Sequence, residues 1–189
     1  MQNTANNKIY TNVINLQSEL LFREAEDDLY YFNHLNIAAK KLKKAIELTP
    51  FHFKSIMLYA DICTIKGQIK KALLLYLKAQ KIKPEYRLSA CIANCYYLLK
   101  EYQKSIEYCD IAVKNYSGYD FSLYSQVIEL KINSFINLKE YQQAYITLIR
   151  SQNLLDPFSL KTIYNSNYGV LNEKIKLKKK LHFSGLKIV

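Results

Sequence analysis

Tryptophan is absent from this 189-residue chain, and glycine (4) and proline (3) are scarce. An all-β fold full of tight turns needs both of those residues, so their scarcity leaves long uninterrupted helices. The opening Met1-Gln2-Asn3-Thr4-Ala5-Asn6-Asn7-Lys8 is polar and lacks the charged segment and apolar run of a signal peptide. No stretch reaches the roughly 18 to 20 apolar residues that span a bilayer. Those two absences make the cytoplasm the expected compartment. The GxxxxGK phosphate loop, the GxSxG elbow and the HExxH zinc motif are all missing. Glu24, Glu26, Asp27 and Asp28 offer carboxylates but have no histidine beside them, so they read as a solvated helix face. Neither catalysis nor a cofactor is expected.

What is present is a helical core. Half of the residues are apolar, which excludes a disordered tail, and the length suits one domain with a real interior. The four cysteines are Cys63, Cys91, Cys95 and Cys109. A chain of this size in a reducing compartment is a poor candidate for a disulfide framework. Cys91 and Cys95 have the i, i+4 spacing that lets two thiols share a metal. His34, His52 and His182 lie far away in sequence, however, and no second pair completes a tetrahedral set. Small buried thiols between helices are the expected state.

Laid over itself, the chain repeats. Tyr97-Leu98-Leu99-Lys100-Glu101-Tyr102-Gln103-Lys104-Ser105 matches Ile136-Asn137-Leu138-Lys139-Glu140-Tyr141-Gln142-Gln143-Ala144. Ala45-Ile46-Glu47-Leu48-Thr49-Pro50 matches Ala79-Gln80-Lys81-Ile82-Lys83-Pro84, which sets the two prolines 84 − 50 = 34 residues apart. Ala38, Ala45, Ala72, Ala79, Ala112 and Ala144 stand where helices must approach closely, with Tyr, Phe and Leu filling the gaps between pairs.

In this pattern the chain resembles the tetratricopeptide repeat (TPR) family, whose unit is a pair of antiparallel helices, A and B. The resemblance covers residues 19–157. The first unit (19–52) supplies Phe22, Ala25, Leu29, Leu35, Ala38, Leu42, Ala45 and Pro50. The second (53–86) has Tyr59, Ala60, Gly67, Ala72, Tyr76, Ala79 and Pro84. The third (87–118) has Ile92, Ala93, Tyr96, Tyr102, Ser105, Cys109 and Ala112. The fourth (119–157) has Phe135, Leu138, Tyr141, Ala144, Leu148 and Ser151. In that last unit Lys131 stands where the family prefers Leu and Ile132 where it prefers a small residue, which predicts a shifted helix A. Ser105 and Ala144 are 144 − 105 = 39 residues apart, and the loop Ser117–Phe121 is expected to absorb the excess.

The resemblance implies an all-α, right-handed α-solenoid of about four helix pairs. Asp156-Pro157 reads as the start of a C-terminal capping helix over 158–180, carrying Leu160, Ile163, Tyr164, Tyr168, Leu171 and Ile175. Residues 1–18 form a leading segment or an extension of the first helix, with Ile9, Val13, Leu16 and Leu20 at helical spacing.

The family's A helices line a concave groove, and the resemblance places Arg23, Asp27, Lys54, Asp61, Arg87, Asn94, Tyr97, Gln126, Glu129, Asn133 and Asn137 on it. A scaffold or adaptor that binds a protein or peptide there is the expected function, since Asn amides pair with an extended backbone and Lys and Arg hold carboxylates. The family's carboxylate clamp for chaperone tails is not expected. Arg23 with Asp27, Leu58, and Arg87 with Cys91 stand at its positions, so an acid and two apolar residues replace donors. The net charge of +11 opens a second reading, RNA or an anionic membrane on the outer face. Lys40, Lys41, Lys43, Lys44, Lys70, Lys71, Lys78 and Lys81 fall on the outward B helices, and Lys174, Lys176, Lys178, Lys179 and Lys180 crowd the end of the chain.

Overall fold

The computed structural model describes residues 15–116, 121–151 and 161, and they contain eight α-helices. These are α1 (Leu16–Tyr30), α2 (Leu35–Leu48), α3 (Phe53–Ile65), α4 (Ile69–Ile82), α5 (Tyr86–Leu98), α6 (Tyr102–Lys114), α7 (Phe121–Asn137) and α8 (Tyr141–Ser151). Each packs on its neighbours in sequence, and α5 also packs on α7. The odd-numbered helices are therefore the A helices of four stacked pairs, the even-numbered ones their B helices, and the chain is an all-α helical-repeat solenoid. Residues 1–14 of the expected leading segment 1–18 and the expected cap over 158–180 lie outside the described residues, Lys161 excepted.

Local signals set the ends of the helices. Asn15 is extended (ψ 124°) and accepts the Gln17 amide at 2.8 Å through its side chain, so α1 opens at Leu16, three residues before the first unit's expected start. Three of the four A–B turns close in the same way. Gln68 donates to Cys63, Glu101 to Tyr96 and Glu140 to Phe135, each at 2.8–2.9 Å, around one left-handed residue. That residue is Gly67 (φ 70°), Lys100 (φ 63°) or Lys139 (φ 62°). Such a terminal loop satisfies carbonyls that the last helical turn leaves open, and glycine is the residue that adopts it without strain. The first turn uses Asn33 (φ 53°) and is one residue longer, with His34 donating to Asp28.

These turns give a ruler for the fourth unit. Seven residues before Gly67, Lys100 and Lys139 stand Ala60, Ala93 and Ile132, all fully buried. Helix A of the fourth unit is thus in register rather than shifted, and Ile132 occupies the small-residue position itself. Lys131 keeps its charge at the surface by pairing with Asp110 at 2.5 Å. The extra residues go partly into α7, which has 17 residues against 13 in α3 and in α5. Of the expected loop Ser117–Phe121, residues 117–120 lie outside the described residues and Phe121 opens α7.

The core follows the pairs. A large cluster runs from Phe22 and Ala25 through Leu42, Ile56, Ile62 and Tyr76 to Leu88 and Ile92. A second joins α5, α6 and α7 through Ala93, Cys109, Ala112 and Val127, and a third joins α7 to α8 through Ile128, Ile132, Ala144 and Leu148. Ala38, Ala45, Ala72, Ala79, Ala112 and Ala144 are all buried, as the close helix contacts require. Each large apolar side chain in these clusters contributes about 1.5–3 kcal/mol by leaving water. No pair owns a complete interior, so each repeat is stabilised by its neighbours.

Candidate functional site

Polar contacts join the A helices along one face. Between α1 and α3, Glu19 Oε2 meets His52 Nε2 at 3.0 Å, and Glu19 Oε1 meets Lys54 Nζ at 3.7 Å and Arg23 Nε at 3.4 Å. Burial alone would raise the Glu19 carboxyl, but Lys54, His52 and Arg23 outweigh it and hold the group below its usual value. His52 is buried, and its Nδ1 lies 2.6 Å from Ser55 Oγ, so one tautomer satisfies both partners. Ser55, His52 and Glu19 have the connectivity of a nucleophilic triad, yet Ser55 is fully buried at the base of α3. The trio ties α1 to α3.

Between α3 and α5 the contact is Asp61. It accepts the Tyr76 hydroxyl at 2.6 Å and lies 3.9 Å from the Arg87 guanidinium. Burial pushes its carboxyl up, against the pull of Tyr76 and Arg87. The nearby Cys91 thiol is pushed up to about 11 by burial and by the Asp61 charge. Burial takes Cys95 and Cys109 to about 12, so these sulfurs stay protonated and poorly nucleophilic at neutral pH. Among the described residues no group of three His, Cys, Asp or Glu side chains is placed to hold a metal ion.

Between α5 and α7 the face opens. A cleft of about 210 Å³ is lined by Ala90, Cys91, Asn94, Leu123, Gln126, Val127 and Leu130. Its floor is apolar, its polar groups are mainly the amides of Asn94 and Gln126, and it carries no formal charge. Among the described residues Gln126 Nε2 has one contact, a long one of 3.3 Å to Ser122 Oγ. At the far end of the same helices Asn137 Nδ2 reaches Tyr97 Oη at 3.5 Å and the Asn133 carbonyl at 2.8 Å. Two larger hollows lie elsewhere, at the loops between repeats. One of about 660 Å³ is bordered by Pro84, Glu85, Tyr86, Arg87 and Asn115, and one of about 430 Å³ by Phe51, His52, Phe53, Lys54, Ile82 and Lys83, among others. Size favours those two, but the smaller cleft combines an apolar floor with free amide chemistry.

The expected groove residues thus fall into three groups. Arg23, Asp27, Lys54 and Arg87 are exposed, with Arg23 and Lys54 beside Glu19 and Arg87 beside Asp61. Asp61 is half-buried and engaged with Tyr76. Asn94, Tyr97, Glu129 and Asn133 are half-buried along α5 and α7 and Gln126 and Asn137 are exposed on α7, and of these Asn94 and Gln126 line the cleft. Leu123, Val127 and Leu130 line it too and were not expected. In sequence they look like ordinary core positions of α7, and only the longer helix brings Leu123 to the rim.

No protein-family model matches the sequence, and no curated protein matches it. Solved structures do. MamA (residues 41 to the end) from Desulfovibrio magneticus RS-1 superposes with a TM-score of 0.68 at 12% identity, over 90% of this chain and 98% of that one. YrrB, a TPR protein with an unusual peptide-binding site, gives 0.62 at 17% identity over 82% and 78%. TTC0263, a thermophilic TPR protein of Thermus thermophilus, gives 0.59 at 16% identity over 87% and 90%. The chain has the tetratricopeptide repeat fold. At these identities the likeness is one of backbone architecture, and the TPR fold leaves the function to the surface residues.

Proposed function

We propose that this TPR chain is a protein-interaction scaffold that holds an extended peptide segment of a partner against its A-helix face. The cleft between α5 and α7 carries the reading. An apolar floor of Ala90, Val127, Leu123 and Leu130 suits one large apolar side chain of the peptide, while Asn94 and Gln126 offer donors and acceptors to its backbone. The exposed Arg23, Lys54 and Arg87 continue the face toward the first repeat and suit acidic or polar residues at the other end of the segment. YrrB lends the precedent of a TPR protein with a peptide-binding site, at the level of fold.

The test is selection of displayed random peptides on the whole chain, with affinities measured for wild type, Asn94→Ala and Leu130→Arg. The proposal expects a consensus with one large apolar residue. It expects a loss of about tenfold for Asn94→Ala, the worth of one or two backbone hydrogen bonds, and near-complete loss for Leu130→Arg. Peptides that bind all three proteins equally would remove the site from this cleft.

A further inference from the structure

The opposite side of the solenoid carries its own pattern. Helices α2 and α4 together hold eight lysines and one acid, Glu47, whereas α6 holds two lysines, Glu107 and Asp110, and α8 has Arg150 as its sole charge. The basic character therefore belongs to the B helices of the first two repeats, not to B helices in general.

Within α2 and α4 the lysines do different things. Lys41 is held by Asp28 at 2.8 Å and Glu24 at 3.1 Å. Lys43 and Lys71 approach one ring, Tyr59 of α3, at 6.0 and 4.7 Å from its centroid. Lys40, Lys44, Lys70, Lys78 and Lys81 have no side-chain partner among the described residues, and all but Lys78 are exposed. They are not alone on that surface. Ile37, Lys40, Lys44 and Leu48 form one stripe along α2 at helical spacing, and Lys70, Leu74, Lys78 and Lys81 form another along α4. Leu74 is 69% exposed and Ile37 is 47% exposed, so apolar side chains stand in water between cations.

We propose that this outer face of α2 and α4 docks on an anionic lipid bilayer, with the lysines on the headgroups and Leu74 and Ile37 at the acyl boundary. Charge complementarity supports the anionic partner. The interleaved aliphatic residues favour a bilayer over a nucleic acid. A phosphate backbone would satisfy the lysines and leave Leu74 with nothing apolar to enter, and neither stripe contains an arginine or an aromatic ring on which bases would stack. The face is separate from the α5–α7 cleft, so the proposal stands or falls apart from the peptide reading. Among the described residues no helix is long and apolar enough to cross a membrane, and docking of this kind needs none.

The test is co-sedimentation of the full chain with vesicles of phosphatidylcholine, alone or with about 30% phosphatidylserine, at an ionic strength of about 0.1 M. Wild type is expected to pellet with the anionic vesicles only. Each lysine at the surface is worth about fivefold in partitioning, so the variant Lys40→Glu, Lys44→Glu, Lys70→Glu, Lys81→Glu should bind more than 100-fold more weakly. Leu74→Ser leaves the charge intact and should weaken binding about fivefold to tenfold. Lys104→Glu with Lys114→Glu, on α6, should bind as wild type does. The positions substituted in α2, α4 and α6 are exposed, and unchanged helical circular dichroism would establish that the variants fold. Failure of wild type to pellet would overturn the proposal, as would full binding by the four-lysine variant. Loss confined to Lys178→Glu, Lys179→Glu, Lys180→Glu would move the contact to the chain's end and overturn it too. Finally, an unaffected Leu74→Ser variant, with tighter binding of the wild type to a mixed-sequence single-stranded RNA, would reassign the face to nucleic acid.

Discussion

The first two repeats and the last two share one backbone plan and are held by different chemistry. From α1 to α4 the helices are linked by ions and by hydrogen bonds to ions, such as Glu19 with His52 and Lys54, Lys41 with Asp28, and Asp61 with Tyr76. From α5 to α8 the links are mostly neutral. Ser134 meets Ser105 at 3.2 Å, Tyr96 lies against Tyr108 at 5.4 Å, and Tyr116 lies against Tyr124 at 4.6 Å. The backbone tolerates both because its alanines and turns carry the stacking, which leaves the remaining positions free to vary. Charge thus collects on both faces of the first half, and the neutral amide-lined cleft lies in the second.

The largest expected effect breaks the comparison at its core. Ile62→Ala opens a cavity in the large cluster, and Leu148→Ala opens one in the cluster between α7 and α8, each costing about 2–5 kcal/mol locally. Hydrogen exchange should then accelerate through α1–α5 for the first variant and only through α7–α8 for the second. Equal acceleration along the whole chain in both variants would mean that the two halves form a single cooperative unit.

A smaller effect sharpens the likeness of the turns. Lys100 and Lys139 hold left-handed backbone that glycine adopts freely, so Lys100→Gly and Lys139→Gly should each stabilise the fold by about 1 kcal/mol in urea titrations. Gly67→Ala, at the matching position, should cost a similar amount through backbone strain alone, because nothing lies within 4 Å of the added methyl. A destabilised Lys100→Gly would show that the lysine side chain contributes more than its backbone costs.

The smallest concerns acid. Glu19 has a folded pKa below its ordinary 4.5, so the unfolded chain takes up the proton first as the pH falls. Its contribution is complete above 4.5 and is lost as the pH drops through the folded value. Asp61, raised by burial above its ordinary 3.8, works with the opposite sign: stability from its protonated form is lost as the pH rises. Glu19→Gln should therefore flatten the acid limb of the first half's melting curve, by less than about 1 kcal/mol because solvent screens the carboxyl. An unchanged acid limb would remove Glu19 from the α1–α3 link.

Several features were legible from residue order because they are local. Helix spacing, the alanines at 38, 45, 72 and 79 and the prolines 34 apart report a period that any single repeat must satisfy. The register of α7 was not. Ile132 looks wrong for a small-residue position until the turn at Lys139 is seen to be the same turn as that at Gly67. Side chains that meet across helices were equally hidden. Nothing in the order of residues says that Lys43 and Lys71 converge on Tyr59, or that Leu123 and Leu130 come to border a cleft with Asn94.

By itself, the sequence determined that this chain is a stack of helix pairs, because spacing, small residues and turn chemistry act within about one repeat. The tertiary structure alone decided which polar groups are consumed by packing and which stay exposed. That outcome depends on distances between helices, and those exist only once every pair has settled on its neighbours.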